Sequence, residues 1–146
     1  MNTTRRQVLS FAGASLAAWT AGLAGLLPAR RARAADNGAS KAIAAFTGGK
    51  TPAEGGVRIE APEIADNGGS VPVRVSARNA RRIAVFNDGN PYPDVAVFTF
   101  GKGATPAAST RIRLARSQKL TAVAEMADGT FRTTSRSIIV TVGGCG

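Results

Sequence analysis

Apolar residues recur at every second position in short runs along this chain, and turn-forming residues separate the runs. In "VRIEA", Val57 and Ile59 alternate with Arg58 and Glu60, and in "SVPVRVS" Val71, Val73 and Val75 form one set. "TRIRLA" places Ile112 and Leu114 opposite Arg111 and Arg113. A period of two is that of an extended strand with one face on a core and the other in water. "RIAVF", "DVAVFTF", "KLTAVAEM" and "RTTSRSIIVTV" bring the strand candidates to seven. "NDGNPYP" is dense in turn formers, and Asp128-Gly129 is a tight-hairpin signal. Together they predict an all-β chain, an immunoglobulin-like antiparallel β-sandwich.

Three local expectations refine this. Pro72 cannot donate to a ladder, so "SVPVRVS" is expected at a sheet edge. "DVAVFTF" carries apolar residues on one face and Ala96, Phe98 and Phe100 on the other, which predicts burial of both faces, the second against another protein. "SKAIAAFTGGK" predicts one short N-terminal helix, capped by Ser40 and ended by Gly48-Gly49.

The first 34 residues are read separately. Arg5 and Arg6 precede an apolar stretch from Val8 to Leu27, and Ala32-Arg33-Ala34 follows as a small-x-small cleavage site. About 20 apolar residues could span a bilayer, but this stretch is rich in Ala and Gly and adjoins Arg30, Arg31 and Arg33. The expected outcome is removal, with "TRRQVL" resembling a twin-arginine export signal and the destination the periplasm. The expected organisation is a signal at residues 1–34, a sandwich domain at 35–142 and a flexible tail at 143–146. The signal holds five arginines and no acids, so its loss lowers the formal charge from +10 to about +5. The remaining basic residues alternate along strands without aromatic neighbours. That reads as a solvated face, with no nucleic-acid partner and no membrane once the signal is gone.

The chain has no histidine and one cysteine, Cys145. It therefore lacks the usual general base and the commonest metal ligand, and a lone thiol forms no thiolate cluster. Glu60, Glu63, Asp66 and Asp128 are scattered through turns and strand surfaces. "TGGKTPAEGG" lacks the spacing of a phosphate loop. No catalytic residue, metal site or cofactor is predicted. Cys145 lies in "VTVGGCG", where Gly143, Gly144 and Gly146 form a slim arm of wide backbone freedom. Two readings follow: a covalent carrier that presents a cargo to other proteins, or an exported structural sandwich whose thiol makes an intermolecular disulfide.

"AIAAFTGGKTPAEGGVRIEAPEIADNGGSVPVRV", "GNPYPDVAVFTF", "STRIRLARSQKLTAVAEMADGTF" and terminal "VTVGGCG" resemble the SoxY family, sulfur carriers of periplasmic thiosulfate oxidation. The resemblance implies an immunoglobulin-like fold and a heterodimer with a SoxZ-like β-sandwich protein. It also implies covalent attachment of sulfur intermediates at Cys145, on the arm of Gly143, Gly144 and Gly146. The implied further partners are a c-type cytochrome, a manganese-dependent hydrolase that releases sulfate and, where present, a sulfur dehydrogenase. Two features depart from the family: the tail stops one glycine short of GGCGG, and the 76–86 segment is short.

Overall fold

Val71, Val73 and Val75 are each at most 3% exposed, the outcome their spacing predicts. They lie on β4 (Val71–Ser76), the middle strand of a three-stranded sheet, between β2 (Arg58–Glu60) and β7 (Ala107–Ile112). Facing it is a six-stranded sheet. Its main path runs β1 (Ala53–Glu54), β9 (Phe131–Val140), β8 (Gln118–Met126), β5 (Ala80–Asn87), β6 (Asp94–Thr99), and β3 (Ile64–Ala65) pairs with β9 as well. The computed structural model describes residues 38–141, all within one compact unit, Arg33–Gly146. The signal, the arm and Cys145 lie outside the described residues.

The main core lies between the sheets, where Ile83, Val85, Leu120 and Ile138 meet the β4 valines. The alternate residues of the six-stranded sheet, Ala84, Phe86 and Val123, face the other way. They are buried under α1 (Ala39–Thr47) through Ala42, Ile43 and Phe46. Phe46 meets Phe86 and Phe131 edge-on, with centroids 6.1 and 6.0 Å apart, an arrangement that suits the ring quadrupoles. Arg82 lies over the Phe46 ring at 4.9 Å and donates to Glu125. The predicted β-sandwich with one short helix is the observed fold.

The details differ in four places. Within this single chain β5 is buried on both faces, whereas the second face of β6, expected to lie against another protein, is open. β6 is an edge strand whose Phe98 packs toward the core opposite Ile83, while Val97, beside Ala84, is 56% exposed. α1 does not extend its cover to Val97. β4 is central, not an edge. Pro72 is tolerated because β2 pairs only with Arg74–Ser76, leaving the proline with β7 as its neighbour. The strand read in "TRIRLA" begins earlier, at Ala107, and ends at Ile112; Leu114 is buried from a loop, its N–H bonded to the Gly68 carbonyl at 2.7 Å. Ser40 is not the helix cap. Gly38 holds that position in a left-handed conformation, while Gly48 ends the helix as expected, at φ 62°. Finally, β1 and β3 pair with β9 in parallel, so the ladders are not all antiparallel.

The short 76–86 segment is a tight crossing between the sheets. β4 ends at Ser76 and β5 begins at Ala80, with Asn79 at φ 58° and its carbonyl accepting the Ala127 N–H at 2.8 Å. Asparagine is among the few residues that adopt this conformation readily.

Candidate functional site: a collar at the root of the tail

β9 ends at Val140, so the fold determines where the arm of Gly143 and Gly144 begins even though the arm lies outside the described residues. The antiparallel register places that end beside the start of β8, the end of β5 and the start of β6. Three loops therefore gather there: residues 66–70, 88–93 and 113–117.

Loop backbone buried at a sandwich end needs partners, and a few polar side chains supply them. Gln118, 8% exposed, accepts the Gly89 N–H at 2.9 Å and donates to Asn90 Oδ1 at 2.8 Å and to the Arg116 carbonyl at 3.1 Å. Asn90 Oδ1 also accepts the Ala115 N–H at 2.9 Å, and its Nδ2 donates to the Arg113 carbonyl at 2.8 Å. Asn87, buried at the end of β5, accepts the Asn90 N–H and donates to the Tyr92 carbonyl. The three side chains tie two loops into one unit.

The same collar grips the last residues of β9. Ser117 Oγ accepts the Val140 N–H at 2.9 Å. The Ile139 N–H donates to the Glu63 carbonyl at 2.8 Å, and the Thr141 N–H to the Ala65 carbonyl at 3.0 Å. Glycine is required where these pieces touch. A Cβ on Gly68 would lie 2.3 Å from the Leu114 carbonyl oxygen and 2.8 Å from Val140 Cγ1, and one on Gly89 2.6 Å from Gln118 Cβ.

The described side chains at this end are polar, several of them basic. Arg111, Arg113, Arg116 and Lys119 are exposed around the collar. Among the described residues no group of His, Cys, Asp or Glu could hold a metal ion. Reading the sequence found the turns of this end but missed Gln118, Asn90 and Ser117; the expected attachment residue, Cys145, lies outside the described residues. The available signal was weak: a glutamine inside an apolar run, and two polar residues among turn formers.

The sequence profile of sulfur oxidation protein SoxY matches residues 43–145. The chain belongs to the SoxY family. Among solved structures, the sulfur carrier protein SoxY from Chlorobium limicola f thiosulfatophilum is 36% identical, with a TM-score of 0.62, covering 70% of this chain and 96% of that one. A superoxide reductase (neelaredoxin) from Ignicoccus hospitalis superposes with a TM-score of 0.54 at 22% identity, covering 60% of this chain and 81% of that one. The second likeness is one of fold alone. No curated relative matches. The SoxY match runs through the glycines of the arm to Cys145.

Proposed function

We infer that this SoxY-family chain is a sulfur carrier of thiosulfate oxidation, not an enzyme, and that it holds its cargo covalently on Cys145. The observation that carries the reading is the family match, whose span of residues 43–145 takes in Gly143, Gly144 and Cys145. The collar supports it, because a thiol on an arm acts as a carrier only if the other end of the arm is held.

The carrier's chemistry balances simply. The Cys145 thiolate and thiosulfate join through a new S–S bond, and two electrons pass to a c-type cytochrome. A manganese-dependent hydrolase adds water to the resulting Cys–S–S–SO3− group, sulfate leaves, and a persulfide remains. A sulfur dehydrogenase is the partner that oxidises that persulfide. Family membership implies a SoxYZ complex, so the stable partner is a SoxZ-like β-sandwich protein. Residues 1–34 act as a twin-arginine signal and deliver residues 35–146 to the periplasm.

The test is Cys145→Ser in a reconstituted pathway. A hydroxyl cannot hold a sulfane chain, so thiosulfate-dependent electron transfer is expected to vanish while the urea midpoint stays unchanged. Wild-type turnover by the serine variant would end the carrier reading. Mass spectrometry without reductant separates the alternative: sulfur adducts on a single chain support carriage, a doubled mass supports a structural disulfide.

A further inference from the structure

Arginines alternate with buried residues in three separate segments, and the three-stranded sheet brings them together. Arg58 on β2, Arg74 on β4 and Arg111 on β7 are exposed, while their neighbours Ile59, Val73, Val75 and Ile112 are buried. Successive residues of a strand face opposite ways, so the three arginines share the outer face. Arg74 sits between Glu60 and Ser109 in the register, and Arg111 lies opposite Pro72. Arg74 and Arg111 are therefore diagonal neighbours, roughly 7–8 Å apart. Arg113 carries the alternation just past the end of β7. Pro72, Ser76, Ala107 and Ser109 occupy the positions between them, so the face is flat. α1 packs on the other sheet and leaves this one to solvent.

The charge on this face is one-sided. Glu60 is the acid that the register places there, and it pairs with Arg58 at 3.1 Å. The other ion pair among the described residues is Arg82–Glu125, so Arg74, Arg111 and Arg113 have no acid of their own. Arg111 Nε donates to Ser70 Oγ at 2.8 Å, which steadies one guanidinium at the sheet. Each of these cations is an arginine. A guanidinium is less tightly hydrated than an ammonium and meets a carboxylate with two parallel N–H donors. Two features favour a protein over a lipid surface. The exposed large apolar side chains, Ile64, Tyr92, Val97 and Ile139, all lie off β2, β4 and β7, so this face offers nothing to insert among acyl chains. Its extent, roughly 10 by 20 Å from strand spacing and rise, is that of a small, transient contact.

We propose that the outer face of the three-stranded sheet docks a transient protein partner through carboxylates on that partner's surface. Arg74, Arg111 and Arg113 supply the cations. Attraction of this kind speeds encounter more than it prolongs the complex, and exposed ion pairs are individually weak and screened by salt. A carrier that must leave each partner after delivery needs that combination. The proposal rests on the carrier reading for the kind of partner and makes no use of Cys145.

The test compares Arg74→Gln plus Arg111→Gln with Arg81→Gln plus Lys102→Gln. The control removes the same charge from exposed positions on β5 and in the loop after β6. In the reconstituted pathway, the first pair should raise the carrier concentration for half-maximal electron transfer about three- to tenfold at low salt. The maximal rate is expected to stay, and the difference should close in about 0.5 M salt. The control pair should change the half-maximal concentration by less than about twofold. A short oligoglutamate peptide maps the face on the purified full chain: amide NMR shifts are expected at Arg58, Arg74, Ser109 and Arg111, and they should weaken with the first pair only. Equal effects of the two pairs, a missing kinetic difference, or peptide shifts that map elsewhere overturn the docking face. Vesicles of phosphatidylglycerol and phosphatidylcholine test the other surface. Binding to them that the first pair abolishes, without peptide shifts, gives the face to a membrane and overturns the proposal as well. Glutamine keeps a donor for Ser70, and an unchanged urea midpoint verifies that each variant folds. The peptide measurement needs no pathway enzyme, so its outcome is separate from that of Cys145→Ser.

Discussion

Gly68→Ala tests whether the collar is as rigid as its contacts indicate. The added Cβ would lie 2.3 Å from the Leu114 carbonyl oxygen, closer than real Cβ atoms approach. Relief to ordinary contact requires the two backbones to part by about 1 Å, and neither is the free end of a flexible side chain. The 2.7 Å bond from the Leu114 N–H to the Gly68 carbonyl spans the same gap and weakens with it. Overpacking of about 1–3 kcal/mol and a hydrogen bond of about 1 kcal/mol sum to roughly 2–4 kcal/mol. With a urea slope of roughly 1–3 kcal/mol/M, the midpoint should fall by about 1–2 M. Gly101→Ala is the control, since its Cβ meets nothing within 4 Å and its φ is not left-handed; it should be neutral or up to about 1 kcal/mol stabilising. A Gly68→Ala cost below about 0.5 kcal/mol, equal to the control, would refute the claim of a tight junction between Gly68, Leu114 and Val140.

Phe46→Ala removes the ring that fastens α1 to Phe86 and Phe131. The ring is half-buried, so the expected loss is about 2 kcal/mol, seen by urea unfolding, with faster amide exchange in 39–47 than in β5. Asp128 accepts hydrogen bonds from the Thr130 side chain and N–H, which hold its carboxyl below the usual carboxylate range. A lowered folded value stabilises above the unfolded one, near about 4, and is lost as pH falls through the folded value. Asp128→Asn should therefore unfold at lower urea than wild type at pH 7, and the gap should close under acid; a gap independent of pH would contradict this.

The β-sandwich was legible because half-buried strands must alternate: Val71, Val73, Val75, Ile112 and Leu114 point inward wherever their loops run. The edge position of β6 was not legible. Its inward residues Ala96 and Phe98 look like those of a central strand, and the exposed Val97 gives no polar signal. β1 and β3 hold two residues each, too few to carry any period. The helix start escaped because Gly38 can adopt the left-handed cap conformation without a side-chain bond, while Ser40 is a more conventional capping residue. The proposed attachment residue, Cys145, was singled out by its glycine neighbours and its singularity, and it lies outside the described residues. The collar was not, since Gln118 and Asn90 are 28 residues apart and meet only once the sheets have formed.

Because the collar fixes the last turns of β9 by the bonds to Ser117, Glu63 and Ala65, the thiol belongs to a short radius about a stationary point. A sphere of roughly 13 Å radius holding one thiol corresponds to an effective concentration on the order of 0.1 M. A partner docked within that radius meets the sulfur at this local concentration however dilute the carrier is. Each residue added to the arm enlarges the sphere and dilutes the thiol, so a firm root and a short arm together set how often cargo and active site collide.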